Sequence, residues 1–144
     1  LKQQADGLGI ADRITWHGPM PQEDVLALYR ECDVFTLPCT IAADGDRDGL
    51  PNVLVEAASQ GLACVSTTTS GVPELIDDGV HGLLVAPDQA TSLSAALEKM
   101  ARDRELRARL ASAAEAKVRS EFDHKASISQ LMELFARSNT EPPK

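Results

Sequence analysis

Residues 48–61 read DGLPNVLVEAASQG, from Asp48 to Gly61, and they decide the fold because a loop, a helix start, an apolar helix and a helix stop follow one another within them. Pro51 has its φ already set for a helix and no N–H to leave unpaired, which suits a first helical position. Asn52 and Glu56 stand four apart and therefore share a helix face. Val53, Leu54, Ala57 and Ala58 give the other faces the small apolar surface of a helix packed closely on a sheet. Gly61 ends the helix, since glycine enters the left-handed conformation at little cost. A carboxylate on so apolar a helix either returns to solvent or serves a polar ligand in a cleft.

Outward from that helix, short apolar runs alternate with helical ones. Upstream, Arg13 to His17 (RITWH) and Asp33 to Leu37 (DVFTL) have the β-branched and aromatic residues of strands. Each is stopped by proline, at Gly18-Pro19-Met20-Pro21 and at Pro38. Between them, Gln22 to Cys32 carries Val25, Leu26, Leu28 and Tyr29 at helical period, with Glu23 and Asp24 in the first turn where the helix dipole favours them. Residues 1–8 form the tail of a helix closed by Gly9, with Ile10 folding back on it. Downstream, Ala63 to Thr68 and Gly82 to Ala86 are strands, separated by a short helix around Pro73 and an Asp77-Asp78-Gly79 turn. From Ala90 to Ser138 the spacing is helical, with apolar stripes at Leu93, Ala96, Leu97 and Met100, at Leu106, Leu110 and Ala114, and at Ile128, Leu131, Met132 and Phe135. The charged run Arg102 to Arg109 is expected to be solvated helix surface, and Trp16 to pack in the core. The alternation implies an α/β fold: a parallel, Rossmann-like sheet with helices on both faces and a helical C-terminal tail.

Composition narrows the function. With 144 residues the chain can bury one ordinary core. The formal net charge of -8 argues against a nucleic-acid partner, whose phosphates demand basic side chains. No apolar run approaches a membrane span of roughly 20 residues. Cys32, Cys39 and Cys64 are odd in number and form no CxxC, so they are expected to be buried reduced thiols in a cytoplasmic protein. His17, His81 and His124 lie far apart, and no metal site is expected. In parallel sheets ligands sit beyond the carboxyl ends of the strands. Here that places them at residues 18–21, 38–50, 68–72 and 87–89. The loops at Gly49 and Gly71 open helices whose amides and dipole favour an anion such as a phosphate. Asp48 and Glu56 could accept hydrogen bonds from sugar hydroxyls, although an Asp before a helix is more commonly a cap.

DGLPNVLVEAASQGLACVSTTTSGVPELIDDGVHGLLV resembles the nucleotide-sugar half of retaining GT-B glycosyltransferases of the family-four type. Their pattern is a Glu, seven residues, a second Glu, A-x-x-x-G, a strand, then G-x-P-E before a D-G-x-x-G-L-L-V strand. WHGPMPQEDVLALYRECDVFTLP is similar to the same family's F-x-G and L-Y-x-x-A-D-x-F-x-x-P segments, so the likeness runs in consistent order from about Arg13 to Phe122. The resemblance implies that Glu56 binds the ribose hydroxyls and that Asp48, at the first Glu position, lies by the donor sugar and the reacting centre. It implies further that Gly49, Leu50 and Pro51 line the sugar, that Ser70 and Gly71 face the diphosphate, and that Gly18, Pro19 and Met20 edge the base pocket. Asp in place of Glu at 48 is a departure; it withdraws the carboxylate by about one methylene, and a misplacement near 1 Å can cost on the order of a hundredfold in rate.

On the same resemblance, residues 1–138 are expected to be part of a C-terminal donor-binding domain; the polar residues 139–144 read as a frayed, disordered tail. The family's diphosphate-binding Arg and Lys, and its acceptor-binding domain, are expected upstream of Leu1. The function implied is transfer of a sugar from a nucleotide-diphosphate sugar to a glycan or lipid acceptor with retention of configuration and without a cofactor. The enzyme is expected in the cytoplasm, peripheral at the inner membrane face when full-length. A non-catalytic nucleotide-sugar-binding module is the alternative that Asp48 motivates, and sugar-nucleotide epimerases of similar architecture fit the Asp48 to Leu75 pattern less well. Strand edges left without neighbours should promote self-association.

Overall fold

The computed structural model describes residues 1–42, 44–45, 49–122 and 132. Three parallel strands, β1 (Val34–Leu37), β2 (Ala63–Thr67) and β3 (Leu83–Val85), lie side by side in chain order, with Leu37 opposite Ser66 and Thr67 opposite Val85 at their carboxyl ends. The helices with described bounds are α1 (Lys2–Gly7), α2 (Gln22–Glu31), α3 (Asn52–Ser59), α4 (Val72–Leu75), α5 (Ala90–Arg102) and α6 (Arg104–Glu121).

β2 is buried along its whole length, so both its faces are covered. Its side chains alternate between two cores, as a strand's period of two requires. Cys64 joins Tyr29, Leu54, Ala57, Ala58, Leu75 and Ile76 beneath α3. Ala63 and Val65 join Leu83, Ala96 and Met100 beneath α5. Helix α6 serves both, with Leu110 and Ala111 in the second core and Ala114 and Val118 in the first. The α/β sheet with helices on both faces is thus observed.

Helix ends follow the glycines. Gly61 has φ +77 just past α3, and Gly9 has φ +66, with the Ile10 amide donating back to the Ala5 carbonyl at 3.1 Å. Helix α3 begins one residue later than expected: Pro51, with φ -66 and ψ 124, is its extended N-cap and Asn52 its first helical residue.

Four expectations are corrected. Residues 13–17 do not form a strand: Ala11–Arg13 is a 3₁₀ turn, and although Ile14 is extended (φ -118, ψ 124), no ladder partner lies beside it among the described residues. Trp16 is 43 % exposed instead of in the core, with the Lys2 ammonium 5.7 Å from its ring centroid. Of the charged run at the α5–α6 junction, Arg102, Arg104 and Arg109 are exposed as expected, and Arg107 is the exception. Arg107 donates to the Met100 and Ala101 carbonyls at 2.7 and 3.0 Å, where α5 ends and its last carbonyls need partners, and Arg109 reaches the Gly79 carbonyl at 3.2 Å. Of the cysteines expected to be buried, Cys32 is exposed. The stripe at Ile128, Leu131 and Phe135 and the tail from Asn139 lie outside the described residues. Met132, also of that stripe, is helical and exposed.

Candidate functional site

The site grows from the carboxyl ends of the strands. Beyond β1, the Leu37 carbonyl accepts a hydrogen bond from the Ser66 hydroxyl at 2.6 Å, and the Cys39 carbonyl accepts from the Thr67 and Thr69 hydroxyls at 2.6 and 3.2 Å. Beyond β2, Ser70 adopts φ +54 and Gly71 follows as the N-cap of α4. A Cβ at Gly71 would stand 2.7 Å from the Leu50 nitrogen and 3.0 Å from the Gly49 carbonyl carbon, so glycine is what allows this turn to lie on the backbone entering α3. Gly49, Leu50, Pro51, Ser70 and Gly71 are therefore brought together, as the sequence suggested. Asp48 lies outside the described residues.

One turn into α3, Glu56 is half-buried and faces an open groove of about 680 Å³ that it lines with Leu50, Asn52, Val55, Ser59 and Phe122. Asn52 and Glu56 thus share one face, as their spacing requires. The Glu56 carboxylate lies 3.4 Å from the Gln22 amide nitrogen, a long contact that ties α3 to the first residue of α2. Its charge is felt by Tyr29, whose hydroxyl is pushed above its ordinary pKa first by burial and then by Glu56 and Cys64. Gly18, with φ +67, Pro19 and Met20 form the turn just before α2, with Met20 the least exposed of the three. Gln22 was missed by the sequence reading, since a contact across 34 positions leaves no local signal.

Two further polar side chains near these loops have structural places. Glu74 is exposed in the first turn of α4. His81 has Nδ1 3.1 Å from Asp77 Oδ2, an oxygen that Lys117 of α6 also approaches at 3.3 Å, so it belongs to a staple between α6 and the α4–β3 turn. Among the described residues no three His, Cys, Asp or Glu side chains converge as a metal would require, and no helix is long and apolar enough to cross a membrane.

A half-buried carboxylate beside backbone-lined turns at the strand ends can hold a polyhydroxylated ligand with an anionic group. Known proteins point the same way. Residues 1–117 match the family model described as Glycosyl transferases group 1. The chain is 38 % identical over 133 residues to the amylovoran biosynthesis glycosyltransferase AmsK of Erwinia amylovora, covering 92 % of this chain and 32 % of AmsK. It is 30 % identical over 104 residues to the GDP-mannose-dependent alpha-(1-6)-phosphatidylinositol monomannoside mannosyltransferase of Mycolicibacterium smegmatis, covering 72 % of this chain and 27 % of that enzyme. Among solved structures, Anabaena HepE in complex with UDP superimposes with a TM-score of 0.84 at 27 % identity over 94 % of this chain and 35 % of HepE. The chain spans about a third of the length of these relatives. With the strand-end loops, the Glu56 helix and the family match in agreement, this chain belongs to the group 1 glycosyltransferases, whose architecture is GT-B.

Proposed function

We propose that this chain supplies the donor half of an enzyme that moves a sugar from a nucleotide-diphosphate sugar to a glycan or lipid, with retention of configuration. The observation that carries the proposal is Glu56: half-buried on the groove face of α3, one turn below a backbone cradle made by Gly49, Leu50 and Gly71. In this assignment Glu56 accepts hydrogen bonds from the ribose hydroxyls, Gly18, Pro19 and Met20 edge the base, and the turn at Ser70 and Gly71 faces the diphosphate. The backbone of Gly49, Leu50 and Pro51 lies along the sugar, and Asp48 serves the reacting centre. Support for a nucleotide-sugar donor comes from HepE, which has been solved with UDP and with UDP-glucose. Support for a glycan acceptor comes from the amylovoran relative. No cofactor is assigned; charge on the leaving diphosphate would be met by helix amides and by cations from outside this chain. The acceptor would be held by a further domain, and the enzyme would work in the cytoplasm, peripheral at the inner membrane face.

The test is turnover by the full-length product of the gene encoding this chain, read as nucleotide release from UDP-glucose, UDP-galactose and GDP-mannose. We expect release from at least one donor and its loss by about a hundredfold or more in Asp48→Ala. A protein that binds a nucleotide-sugar but releases nothing, both as it stands and as Asp48→Glu, would instead be a binding module, the reading that the shortened carboxylate at 48 favours.

A further inference from the structure

The end of β2 and the connection leaving it carry three buried hydroxyls: Ser66, Thr67 and Thr69 are 0 %, 2 % and 3 % exposed. A hydroxyl buried between two helix layers costs stability unless it is hydrogen-bonded, and Val or Ala would fill the same space without that cost. All three donate to the backbone that leaves β1. Ser66 reaches the Leu37 carbonyl at 2.6 Å, while Thr67 and Thr69 converge on the Cys39 carbonyl at 2.6 and 3.2 Å. Five residues beyond Ser66, Gly71 lies against Gly49 and Leu50, with room for no side chain at 2.7 Å. Residues 66–71 thus grip both ends of the connection between β1 and α3. Thr67 also lines a cavity of about 310 Å³ on the α5 face with Pro38, Thr40, Val85 and Leu93, so the start of that connection has space to shift if its bond is lost.

We infer that Thr67, seconded by Thr69, is a positioning residue of the donor site: through the Cys39 carbonyl it fixes the start of the β1–α3 connection, while Gly71 in the same segment seats its end at Gly49 and Leu50, so the two anchors together set how that backbone meets the sugar. The inference rests on the donor-site assignment above. Thr67 lines no part of the Glu56 groove, so it acts through the connection and leaves the ribose grip intact. Its loss should therefore appear in kcat and spare the donor KM.

The experiment compares Thr67→Val and Thr67→Ser in the full-length protein, at a temperature well below both melting midpoints, with nucleotide release from UDP-glucose, UDP-galactose and GDP-mannose. Hydrogen exchange is followed in peptides covering residues 38–50 and 52–59. Thr67→Val should lower kcat between about tenfold and a hundredfold with the donor KM nearly unchanged, and should speed exchange in 38–50 but not in 52–59. Thr67→Ser, which restores the donor oxygen, should recover most of the rate. Wild-type kcat in Thr67→Val, or a loss that tracks the folded fraction and vanishes on cooling, overturns the inference. Should Thr67→Val fail to fold, Thr69→Val removes the longer bond and must show the same pattern at smaller size, or the inference falls. A wild type that releases nucleotide from none of the donors overturns the functional assignment and this inference with it; an active wild type with an unaffected Thr67→Val overturns this inference alone.

Discussion

Ser70 holds φ +54, a conformation that side chains other than glycine adopt at a cost of order 1 kcal/mol, whereas its neighbour Gly71 is glycine for lack of space. The two should respond in opposite ways to substitution. Ser70→Gly relieves the backbone and should stabilise the fold by up to about 1 kcal/mol in urea denaturation. Gly71→Ala drives a methyl into the Leu50 nitrogen and should cost about 1–3 kcal/mol, weakening nucleotide binding as the turn moves off α3. At this scale much could be read in the sequence. Glycine stops at 9 and 61, and the shared face of Asn52 and Glu56, rest on local rules of spacing and conformation. Gln22 could not be found that way, because its contact with Glu56 exists only once α2 and α3 are packed together.

Strand β2 shows what an element adds. Cys64 is the strand residue that enters the α3 core, and burial pushes its thiol up to about 12 from an ordinary 9.0. Below pH 9 the thiol is protonated both folded and unfolded, and pH has no effect through it. Between pH 9 and 12 the unfolded chain loses the proton that the folded chain keeps, so stability falls as pH rises, by about 1.4 kcal/mol per unit at most. Tyr29, also raised, adds to the fall at higher pH. Urea midpoints measured at pH 8, 9.5 and 11 should decline, and Cys64→Ala should flatten the decline while lowering stability at pH 8 by about 1 kcal/mol. The same scale explains the corrected strand. Residues 13–17 have strand composition, yet a strand needs a ladder partner, which composition does not supply. Arg107 is the converse: its charge suggested solvent, and the unpaired carbonyls at the end of α5 took it instead.

In the whole molecule, β1 has β2 on one side and no described strand on the other, and an unpaired parallel edge is a template for association. This chain studied alone should therefore sediment as an oligomer or aggregate, and light scattering at the monomer mass with a sharp melt would contradict that expectation. The two cores on either side of β2 are joined by α6, so Leu110→Ala, at a fully buried position, should cost about 2–5 kcal/mol and lower the melting midpoint of the full-length protein instead of loosening one face. Fold class was legible in the alternation of short strands and helices, and the place of the candidate site follows from it, because parallel sheets receive ligands at strand ends. The grip of residues 66–71 on the β1–α3 connection was not, since hydroxyls in a strand look like ordinary strand composition until their acceptors are known.

The central claim is that Glu56 holds the ribose hydroxyls of a nucleotide, and titration calorimetry on the full-length protein tests it with the tightest-binding of UDP, GDP and ADP and its 2′,3′-dideoxy analogue. The account predicts that the wild type loses about ten- to a hundredfold in affinity for the dideoxy form, and that Glu56→Ala binds both forms equally and as weakly as that. Equal wild-type affinity for the two, or a Glu56→Ala variant that still tells them apart, would contradict it.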